Sequence, residues 1–282
     1  MAFNFKDKIV PKDSNNTLIV DGLNIAFRWK HTLQWNTFRY EFERTIESIA
    51  NSYKSNKIIV AADWGASSYR KKLYPDYKGD RKDKYKDQTE EDKIKFEEFF
   101  GEYEKALELV AKRHMVLRYE NVEADDIAAH LVKHRKQYEL ENIWMISSDG
   151  DWHLMIQEGV SQFSWRSRKE ITVDNWSEHY NFPIEKFLSY KVILGDSGDN
   201  IPGFAQIGPK RAEALVNQYA SALEIHDVLP IDSKYKFMED LNENPERILL
   251  NYELMSLLDY CDDAIGEENL QDIREKMGDI PW

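Results

Sequence analysis

Carboxylates grouped where hydrophobic runs end are the residues best suited to chemistry in this 282-residue sequence, and nine of them form five short clusters. The nine are Asp21, Asp63, Glu123, Asp125, Asp126, Asp149, Asp151, Asp196 and Asp199. If these side chains meet at one end of a sheet, their charges repel unless a cation binds among them. Oxygen donors with no recurring His or Cys nearby favour Mg²⁺ or Mn²⁺. The pattern therefore predicts a divalent-metal site suited to phosphoryl chemistry.

The spacing of hydrophobic residues predicts the elements that position these carboxylates. β-rich runs near 17 to 21, 57 to 62, 115 to 119 and 142 to 147 alternate with helical patterns near 38 to 53, 89 to 112 and 123 to 137. Such alternation predicts an α/β fold, with a mainly parallel central sheet and helices on both faces. Ligands of these sheets bind beyond the carboxyl ends of the strands, where Asp21, Asp63 and Asp149 fall.

A second, helical part of the chain is predicted to follow the sheet. A weaker pair of strands is expected at 159 to 165 and 170 to 173, and the pattern is helical from there to the end. We place the boundary near Arg166, which gives an α/β domain at 1 to 165 and a C-terminal helical lobe at 166 to 282.

The charge of the chain is unevenly distributed, although its net value of −13 argues against a nucleic-acid partner for the chain as a whole. Between Trp64 and Lys86, eight basic residues face three acidic ones. From Asn251 to Trp282, nine acidic residues face two basic ones. A bipolar chain can attract a polyanion at one face and remain acidic overall.

Composition argues against several other classes of protein. Apolar runs of about six residues are too short for a membrane span of roughly 20. The charged start, Met1 to Lys8, lacks the apolar core of a signal peptide. Cys261 is the single cysteine, which excludes an internal disulfide and a thiolate metal cage. We therefore expect a soluble, intracellular protein.

Each acidic cluster also has a structural interpretation. Glu123 and its neighbours could be helix N-terminal acids that complement the helix dipole. The segment Asp149-Gly-Asp151 could be an Asp-rich turn, and Asp196 and Asp199 could cap a helix. A shared metal site explains all five clusters with one cause, whereas the structural roles must arise independently.

The basic segment at about 66 to 88 predicts an exposed, partly helical insertion. It is rich in Lys, Arg and Tyr and lacks a clean apolar stripe. Lys78 and Arg81 could project together toward a phosphate, while Tyr74 and Tyr77 offer rings for base stacking. The alternative is a solvated charged loop. A clamp for a single nucleic-acid strand is the functional interpretation.

Residues 200 to 212 predict a tight loop that leads into a helix beginning at Pro209. Gly208 precedes this proline, and Lys210 and Arg211 lie in the first turn. Free backbone N–H groups at such a helix end can hold a phosphate without reading base sequence.

These motifs, in this order from Leu18 to Ala220, resemble the 5′-nuclease (flap endonuclease) superfamily, and in particular its bacteriophage 5′-exonuclease branch. The motifs are Val20-Asp-Gly-Leu-Asn24, Tyr77-Lys-Gly-Asp-Arg81, Val122-Glu-Ala-Asp-Asp126, Ser147-Ser-Asp-Gly-Asp151 and Gly195-Asp-Ser-Gly-Asp-Asn-Ile-Pro202. The resemblance implies a PIN-like nuclease core with a helical arch at about 66 to 88. It also implies a DNA-binding lobe with a helix-three-turn-helix element at about 199 to 220. Beyond residue 220 the resemblance fades.

Roles for individual residues follow from the same resemblance. One metal position would be held by Asp21, Asp63, Glu123, Asp125 and Asp126, and a second by Asp149, Asp151, Asp196 and Asp199. Catalytic roles are implied for Lys78, Arg81, Asp126, Asp151 and Lys191. DNA contacts are implied for Arg70, Lys71, Lys72, Tyr77, Lys78, Arg81, Gly208, Lys210 and Arg211. The family also often binds K⁺ at the helix-three-turn-helix loop, where this chain departs from the family by having Gln206 in place of a glycine.

The sequence thus predicts a structure-specific 5′-nuclease that uses Mg²⁺, or Mn²⁺ in its place, with two or more ions. It would hydrolyse DNA at a 5′ flap, a nick or another junction of single and double strand, by a metal-activated water, in DNA replication or repair. We expect a monomer in the cytoplasm of a bacterial cell or a phage-infected host, without a membrane partner.

Two alternatives remain open at this point, a non-cleaving module that grips branched DNA and a related metal-dependent ribonuclease. A phosphatase with an aspartate nucleophile is disfavoured, since the first strand leads into Asp21-Gly-Leu-Asn24 and not into Asp-x-Asp.

Overall fold

The computed structural model describes residues 15–30, 35–80 and 89–278, and a six-stranded sheet lies at its centre. The strands are β1 (Asn16–Asp21), β2 (Lys57–Ala61), β3 (Met115–Leu117), β4 (Asn142–Ile146), β5 (Val160–Ser164) and β6 (Lys169–Ile171). Their spatial order is β3-β2-β1-β4-β5-β6, with β1 to β5 parallel and β6 antiparallel to β5. The predicted mainly parallel sheet is confirmed.

Helices surround this sheet and make up most of the chain after β6. The helices before β4 are α1 (Gly22–Ala26), α2 (Trp35–Ser52), α3 (Ser68–Leu73), α4 (Glu90–Val110) and α5 (Ala124–Lys133). Those after β6 are α6 (Phe187–Leu194), α7 (Pro209–Gln218), α8 (Ala222–Val228), α9 (Phe237–Glu243), α10 (Glu246–Met255), α11 (Leu257–Ile265) and α12 (Glu267–Gly278). None of the helices in the described ranges is long and apolar enough to cross a membrane.

The two faces of the sheet have separate cores. On one face, α2 and α4 pack against β1 and β2 through fully buried side chains such as Phe42 and Phe99. On the other face, α5 packs through Ile127 and Leu131. Both faces of the inner strands are therefore covered, which is why these strands are continuous apolar runs.

Local signals fixed several helix ends. Thr89 and Asp92 form a reciprocal capping box at the start of α4, as the sequence predicted. Helix α7 begins with Pro209 at its first position, also as predicted. The helix predicted at 123 to 137 instead ends at Lys133, because the chain turns there and places the Tyr138 hydroxyl 2.8 Å from His130 Nε2.

The predicted boundary at Arg166 falls inside the sheet. Strand β6 pairs with β5 beyond that residue, so the α/β layer continues at least to Ile171. The acidic C-terminal segment also returns to the sheet, since α11 and α12 pack on the α5 face through Leu257, Ile265 and Ile273. The sheet and its packing thus extend beyond residue 166, and the division into a domain at 1 to 165 and a lobe at 166 to 282 stays a prediction.

The predicted arch is described only in its first part. Helix α3 begins after Ser67, whose side chain accepts a hydrogen bond from the Arg70 N–H, and a turn follows at 74 to 79. Arg81 and the remaining predicted arch residues up to 88 lie outside the described ranges.

Candidate active site

The acidic residues gather between β1 and β4. Here the spatial order of the strands changes direction: β2 and β3 lie on one side of β1, and β4 to β6 lie on the other. Asp21 ends β1, while Asp149 follows β4 and Asp63 follows β2. A crevice beyond the carboxyl ends of strands at this switch point is where open α/β sheets bind ligands.

A single cavity brings together residues from distant parts of the sequence. It is lined by Glu123, Asp125, Asp151, Asp196 and Asp199. Electrostatic interactions join Asp21, Asp63, Asp125 and Asp149 into the same group. We call this set of residues the carboxylate pocket: Asp21, Asp63, Glu123, Asp125, Asp149, Asp151, Asp196 and Asp199.

Asp21 is held at the floor of the carboxylate pocket by two donors. Its Oδ2 accepts a hydrogen bond from Ser147 Oγ at 2.6 Å, and its Oδ1 accepts one from the Asn24 N–H at 3.0 Å. Burial raises the pKa of Asp21 to about 7, and the charges of Asp63 and Asp149 act in the same direction.

The start of α5 adds further carboxylates to the same place. Asp63 Oδ1 accepts a hydrogen bond from the Ala124 N–H at 2.9 Å, which fixes Asp63 against the first turn of α5. Asp125 accepts a hydrogen bond from Trp152 Nε1 at 2.6 Å. Burial raises the pKa of Asp125 well above its usual range, and the charge of Asp149 adds to the effect.

Lys191, on α6, joins two further carboxylates. Its Nζ lies 2.7 Å from Asp151 Oδ1 and 2.5 Å from Asp196 Oδ2. Burial opposes the charged form of Lys191, but the carboxylates of Asp151 and Asp196 raise its pKa above the usual lysine value.

The loop that carries Asp196 depends on a close backbone approach. Gly195 has a φ of 76°, and a Cβ placed there would lie 2.2 Å from the Gly203 nitrogen. The Asp196 and Ile201 backbones exchange hydrogen bonds of 2.8 and 2.7 Å across the same loop. Only glycine fits at residue 195, so the turn that presents Asp196 and Asp199 is fixed by sequence.

Lys78 enters the carboxylate pocket from the turn after α3. Its Nζ lies 2.7 Å from Glu123 Oε1 and 3.5 Å from Asp199 Oδ2. Burial disfavours the ionised form of Glu123, yet the nearby Lys78 and Arg70 hold its pKa below the usual range. Lys78 has a φ of 55°, a left-handed conformation that is uncommon for lysine and costs about 1 kcal/mol or more.

Asp126 is not among the residues that line the cavity, and its predicted roles in metal binding and catalysis stay predictions. Its two oxygens accept hydrogen bonds from Arg70 Nη1 and Nη2 at 2.7 and 2.8 Å, and its side chain is 0% exposed. The buried guanidinium therefore takes one hydrogen-bonding position on each oxygen of Asp126.

Arg70 and Tyr77, both predicted to contact DNA, are buried against acidic residues, and their DNA contacts stay predictions. Arg70 is buried between Asp126 and the Leu254 carbonyl, to which its Nε donates at 2.8 Å. Tyr77 is 2% exposed and its hydroxyl lies 2.8 Å from Glu123 Oε2 and 3.0 Å from Asp199 Oδ2. Both side chains also line the cavity that holds Glu123, Asp125 and Asp199.

The other predicted DNA contacts lie at the surface. Lys71 and Lys72 are exposed on α3, and Lys210 and Arg211 are exposed at the start of α7, directly after Gly208. These residues remain predictions, because exposure allows a contact without showing one.

Two residues that hold the carboxylate pocket in place were missed by sequence reasoning. Ser147 is buried and donates to Asp21, while the indole of Trp152 donates to Asp125. Ser147 lies within the motif from Ser147 to Asp151, which was identified in the sequence for its aspartates, so its position in the sequence indicated a place near the site. No such indication was present for Trp152, because a tryptophan after an acidic turn is ordinarily a residue of the hydrophobic core.

The donor set of the carboxylate pocket fits a hard divalent cation. All its candidate ligands are carboxylates, the donors that Mg²⁺ and Mn²⁺ prefer. Burial, and after it the charges of neighbouring carboxylates, raises the pKa of Asp21 and of Asp125, and a bound cation would favour their ionised forms.

Comparison with known proteins covers nearly the whole chain. Residues 16–181 match the family described as 5′-3′ exonuclease, N-terminal resolvase-like domain, and residues 182–277 match 5′-3′ exonuclease, C-terminal SAM fold. The flap endonuclease of Escherichia phage T5 is 39% identical over 263 residues, which are 93% of this chain and 90% of that protein.

Solved structures agree with these matches. The T5 D15 protein co-crystallised with metal ions superposes with a TM-score of 0.89 at 37% identity, over 95% of this chain and 100% of that one. A pseudo-enzyme–product complex of the T5 D15 flap endonuclease with DNA and metal ions gives a TM-score of 0.88 at 38% identity, over 93% and 97% of the two chains. On these grounds, and with the fold and carboxylate pocket already described, this chain belongs to the 5′-3′ exonuclease family.

Proposed function

We propose that this chain is a divalent-metal-dependent, structure-specific 5′-nuclease that hydrolyses DNA phosphodiesters at junctions of single and double strand. The observation that carries the proposal is the group of buried carboxylates around Asp21 and Asp125, with Lys78 and Lys191 at its edge. The T5 relatives, described as flap endonuclease and 5′-exonuclease, support the same chemistry.

The metal is proposed to be Mg²⁺, with Mn²⁺ able to replace it, and two or more ions. One position would use Asp21, Asp63, Glu123 and Asp125, and the other Asp149, Asp151, Asp196 and Asp199. When bound, such ions would lower the pKa of a coordinated water and neutralise charge on the scissile phosphate.

The lysines of the carboxylate pocket are proposed to act on the phosphate. Lys78 and Lys191 hold charged amino groups against Glu123, Asp199, Asp151 and Asp196. When cations neutralise these carboxylates, each lysine can direct its three N–H donors at a phosphate oxygen. Arg81 is proposed to assist from the arch.

Duplex DNA is proposed to bind through its backbone at α7. Gly208, Lys210 and Arg211 form the exposed N-terminal end of that helix. Gln206 has a φ of 62°, so the loop keeps a left-handed conformation there even without a glycine, and a K⁺ site at this loop is part of the proposal. Lys71 and Lys72 would face the single strand. We propose that the protein acts as a monomer in replication or repair, in the cytoplasm of a bacterial cell or phage-infected host.

Cleavage mapping on an end-labelled 5′-flap DNA tests the proposal. We expect cuts near the junction with Mg²⁺ and none with EDTA. Asp125→Asn and Asp149→Asn should each reduce the rate by roughly 100-fold or more while flap binding persists. The matched control is Asp174→Asn, an exposed aspartate outside the carboxylate pocket, which should cleave as the wild type does.

Other outcomes would refute the proposal. Binding of the flap without cleavage in Mg²⁺ and Mn²⁺ would identify a branched-DNA binding module. Preferential cleavage of a matched RNA flap would identify a ribonuclease. Unchanged rates in both aspartate variants would place the chemistry elsewhere.

A further inference from the structure

A second cluster of metal-ligating side chains lies between α5 and α11, outside the carboxylate pocket. His130 and His134 are one helical turn apart at the C-terminal end of α5, and Asp262 faces them from α11. His130, the nearer histidine, lies five positions after Asp125, or about 8 Å along the helix axis.

The geometry converges on one carboxylate. His130 Nδ1 lies 2.6 Å from Asp262 Oδ1, and His134 Nε2 lies 3.0 Å from Asp262 Oδ2. The two ring nitrogens and the carboxylate oxygen all lie within 4.8 Å of one another. Ligands of a tetrahedral ion at about 2.0–2.2 Å must lie a little over 3 Å apart, so small side-chain rotations suffice.

We propose that His130, His134 and Asp262 form a binding site for a borderline transition-metal ion of the Zn²⁺ class. His134 directly follows α5, four residues after His130, and histidines at this spacing can chelate such ions. Imidazole distinguishes this site from the all-carboxylate pocket. A carboxylate from a second helix completes three protein ligands.

The surroundings fit a ligand site in two further respects. The second nitrogen of His130, Nε2, faces the Tyr138 hydroxyl at 2.8 Å, the kind of outer partner that orients a ligating imidazole. The His134 and Asp262 side chains are 32% and 29% exposed, which leaves an entry path and a solvent-facing fourth position.

Binding needs only a shift of protons within the rings. Nδ1 of His130 and Nε2 of His134 must present lone pairs to the ion, so the ring proton moves to the other nitrogen in each case. On His130 that proton then faces the Tyr138 hydroxyl oxygen, which can accept it. No bond to carbon changes and no redox partner is required.

One lysine competes with the ion. Lys133 Nζ lies 2.9 Å from Asp262 Oδ2, so it already neutralises the carboxylate that the ion would bind. Removal of the Lys133 charge should therefore strengthen metal binding. If the cluster were only a hydrogen-bond network, removal of this charge would not strengthen metal binding.

The site would tie two parts of the molecule together. Helix α5 carries Asp125 at its first turn, and α11 belongs to the C-terminal helices that pack on it. An ion held between them would stabilise this junction without entering the proposed chemistry.

The experiment is a titration of the full chain with Co²⁺ and Zn²⁺ in excess Mg²⁺, so that the carboxylate pocket is saturated. We expect visible Co²⁺ absorption bands typical of nitrogen ligation and competition by Zn²⁺. His134→Ala and Asp262→Asn should weaken Zn²⁺ binding by about tenfold or more, and Lys133→Met should strengthen it several-fold. Both ligand variants are at partly exposed positions, which avoids replacing the buried His130.

Two control variants locate the ion. His226→Ala removes a histidine elsewhere in the C-terminal helices and should leave the titration unchanged. Asp149→Asn removes a proposed ligand of the carboxylate pocket and should leave the nitrogen-type Co²⁺ bands unchanged, because the proposed site is separate from that pocket. The proposal is overturned if no nitrogen-type Co²⁺ bands appear, if His134→Ala and Lys133→Met bind Zn²⁺ as the wild type does, or if Asp149→Asn abolishes binding.

Discussion

At the scale of single residues, the carboxylate pocket is a balance between buried acids and two lysines. Lys78 and Lys191 each contact two carboxylates, and both side chains are mostly buried. Burial raises the pKa of Asp21 and of Asp125, and neighbouring carboxylates add to the effect. Repulsion between carboxylates and their attraction to lysine thus act together within one pocket, and Asp151 experiences both.

Replacement of Lys78 tests its role toward the phosphate. Lys78→Met keeps the length of the side chain and removes the charge, so the rate of flap cleavage should fall by at least about tenfold, or roughly 1.4 kcal/mol. Single-turnover kinetics at saturating enzyme separates this effect from DNA binding. Lys112→Met, at an exposed lysine after α4, is the control. A smaller loss for Lys78→Met would contradict the role.

The raised pKa of Asp21 predicts an unusual dependence of stability on pH. In the folded protein Asp21 titrates at about 7, whereas an unfolded aspartate titrates near 3.9. Between these values the unfolded chain binds fewer protons, so the free energy of unfolding of the metal-free protein falls as pH rises. The fall from this residue amounts to at most about 4 kcal/mol.

Urea unfolding in EDTA across pH 4 to 8 measures this dependence. Asp21→Asn should flatten the curve relative to the wild type, while Asp174→Asn should leave its slope unchanged. Part of the slope will remain in Asp21→Asn, since Asp125 has a pKa raised in the same direction. If the free energy of unfolding depended on pH equally in the wild type and in Asp21→Asn, the pKa of Asp21 would not be raised in the metal-free protein, and the prediction would be wrong.

At the scale of elements, the Arg70–Asp126 ion pair connects α3 to α5. Arg70 also donates to the Leu254 carbonyl at the end of α10, so three helices meet at one guanidinium. This junction fixes the base of the segment that delivers Lys78 to the carboxylate pocket. Arg70, predicted from sequence to contact DNA, and Asp126, predicted to bind metal, therefore form a buried pair that supports the carboxylate pocket.

Breaking this pair on one side should be costly. Arg70→Met leaves Asp126 buried without its partner, and we expect a loss of about 3–5 kcal/mol in the free energy of unfolding. The double variant Arg70→Met with Asp126→Leu removes both charges and should recover most of the loss. Chemical denaturation measures all three proteins, with Lys71→Met, at the exposed neighbour, as control. Equal losses in the single and double variants would argue against a coupled pair.

At the scale of the whole molecule, the acidic C-terminal helices complete the core of the sheet. Helices α11 and α12 bury Leu257, Cys261, Ile265 and Ile273 against α5. The surplus acids of this segment lie mostly toward solvent, where their charge keeps the molecule acidic while the proposed DNA-binding positions remain basic. Folding of the α/β core therefore depends on residues close to the end of the chain.

Truncation of a single core side chain tests this dependence. Ile273 is 0% exposed, so Ile273→Ala should lower the free energy of unfolding by about 2–5 kcal/mol in one cooperative transition. Glu268→Ala, at an exposed position of α12, should change it by less than about 1 kcal/mol. A loss confined to a separate, early transition would show that α11 and α12 fold independently of the sheet.

The sequence by itself determined the strands, the order of the elements and the carboxylates at the strand ends. These features are local, since each depends on the periodicity of a short run, a cap such as Thr89, or a glycine such as Gly195. The convergence of Asp21, Asp63 and Asp149 also followed, because parallel strands end at the same edge of a sheet.

Only the tertiary structure decided which acids face the carboxylate pocket and which are neutralised behind it. Asp125 and Asp126 are adjacent in the sequence, yet α5 turns Asp125 into the pocket and Asp126 toward Arg70, a residue 56 positions away. Tyr77 is buried for the same kind of reason. The state of a charged group depends on partners brought to it by the fold, and such long-range pairings leave no mark on local spacing.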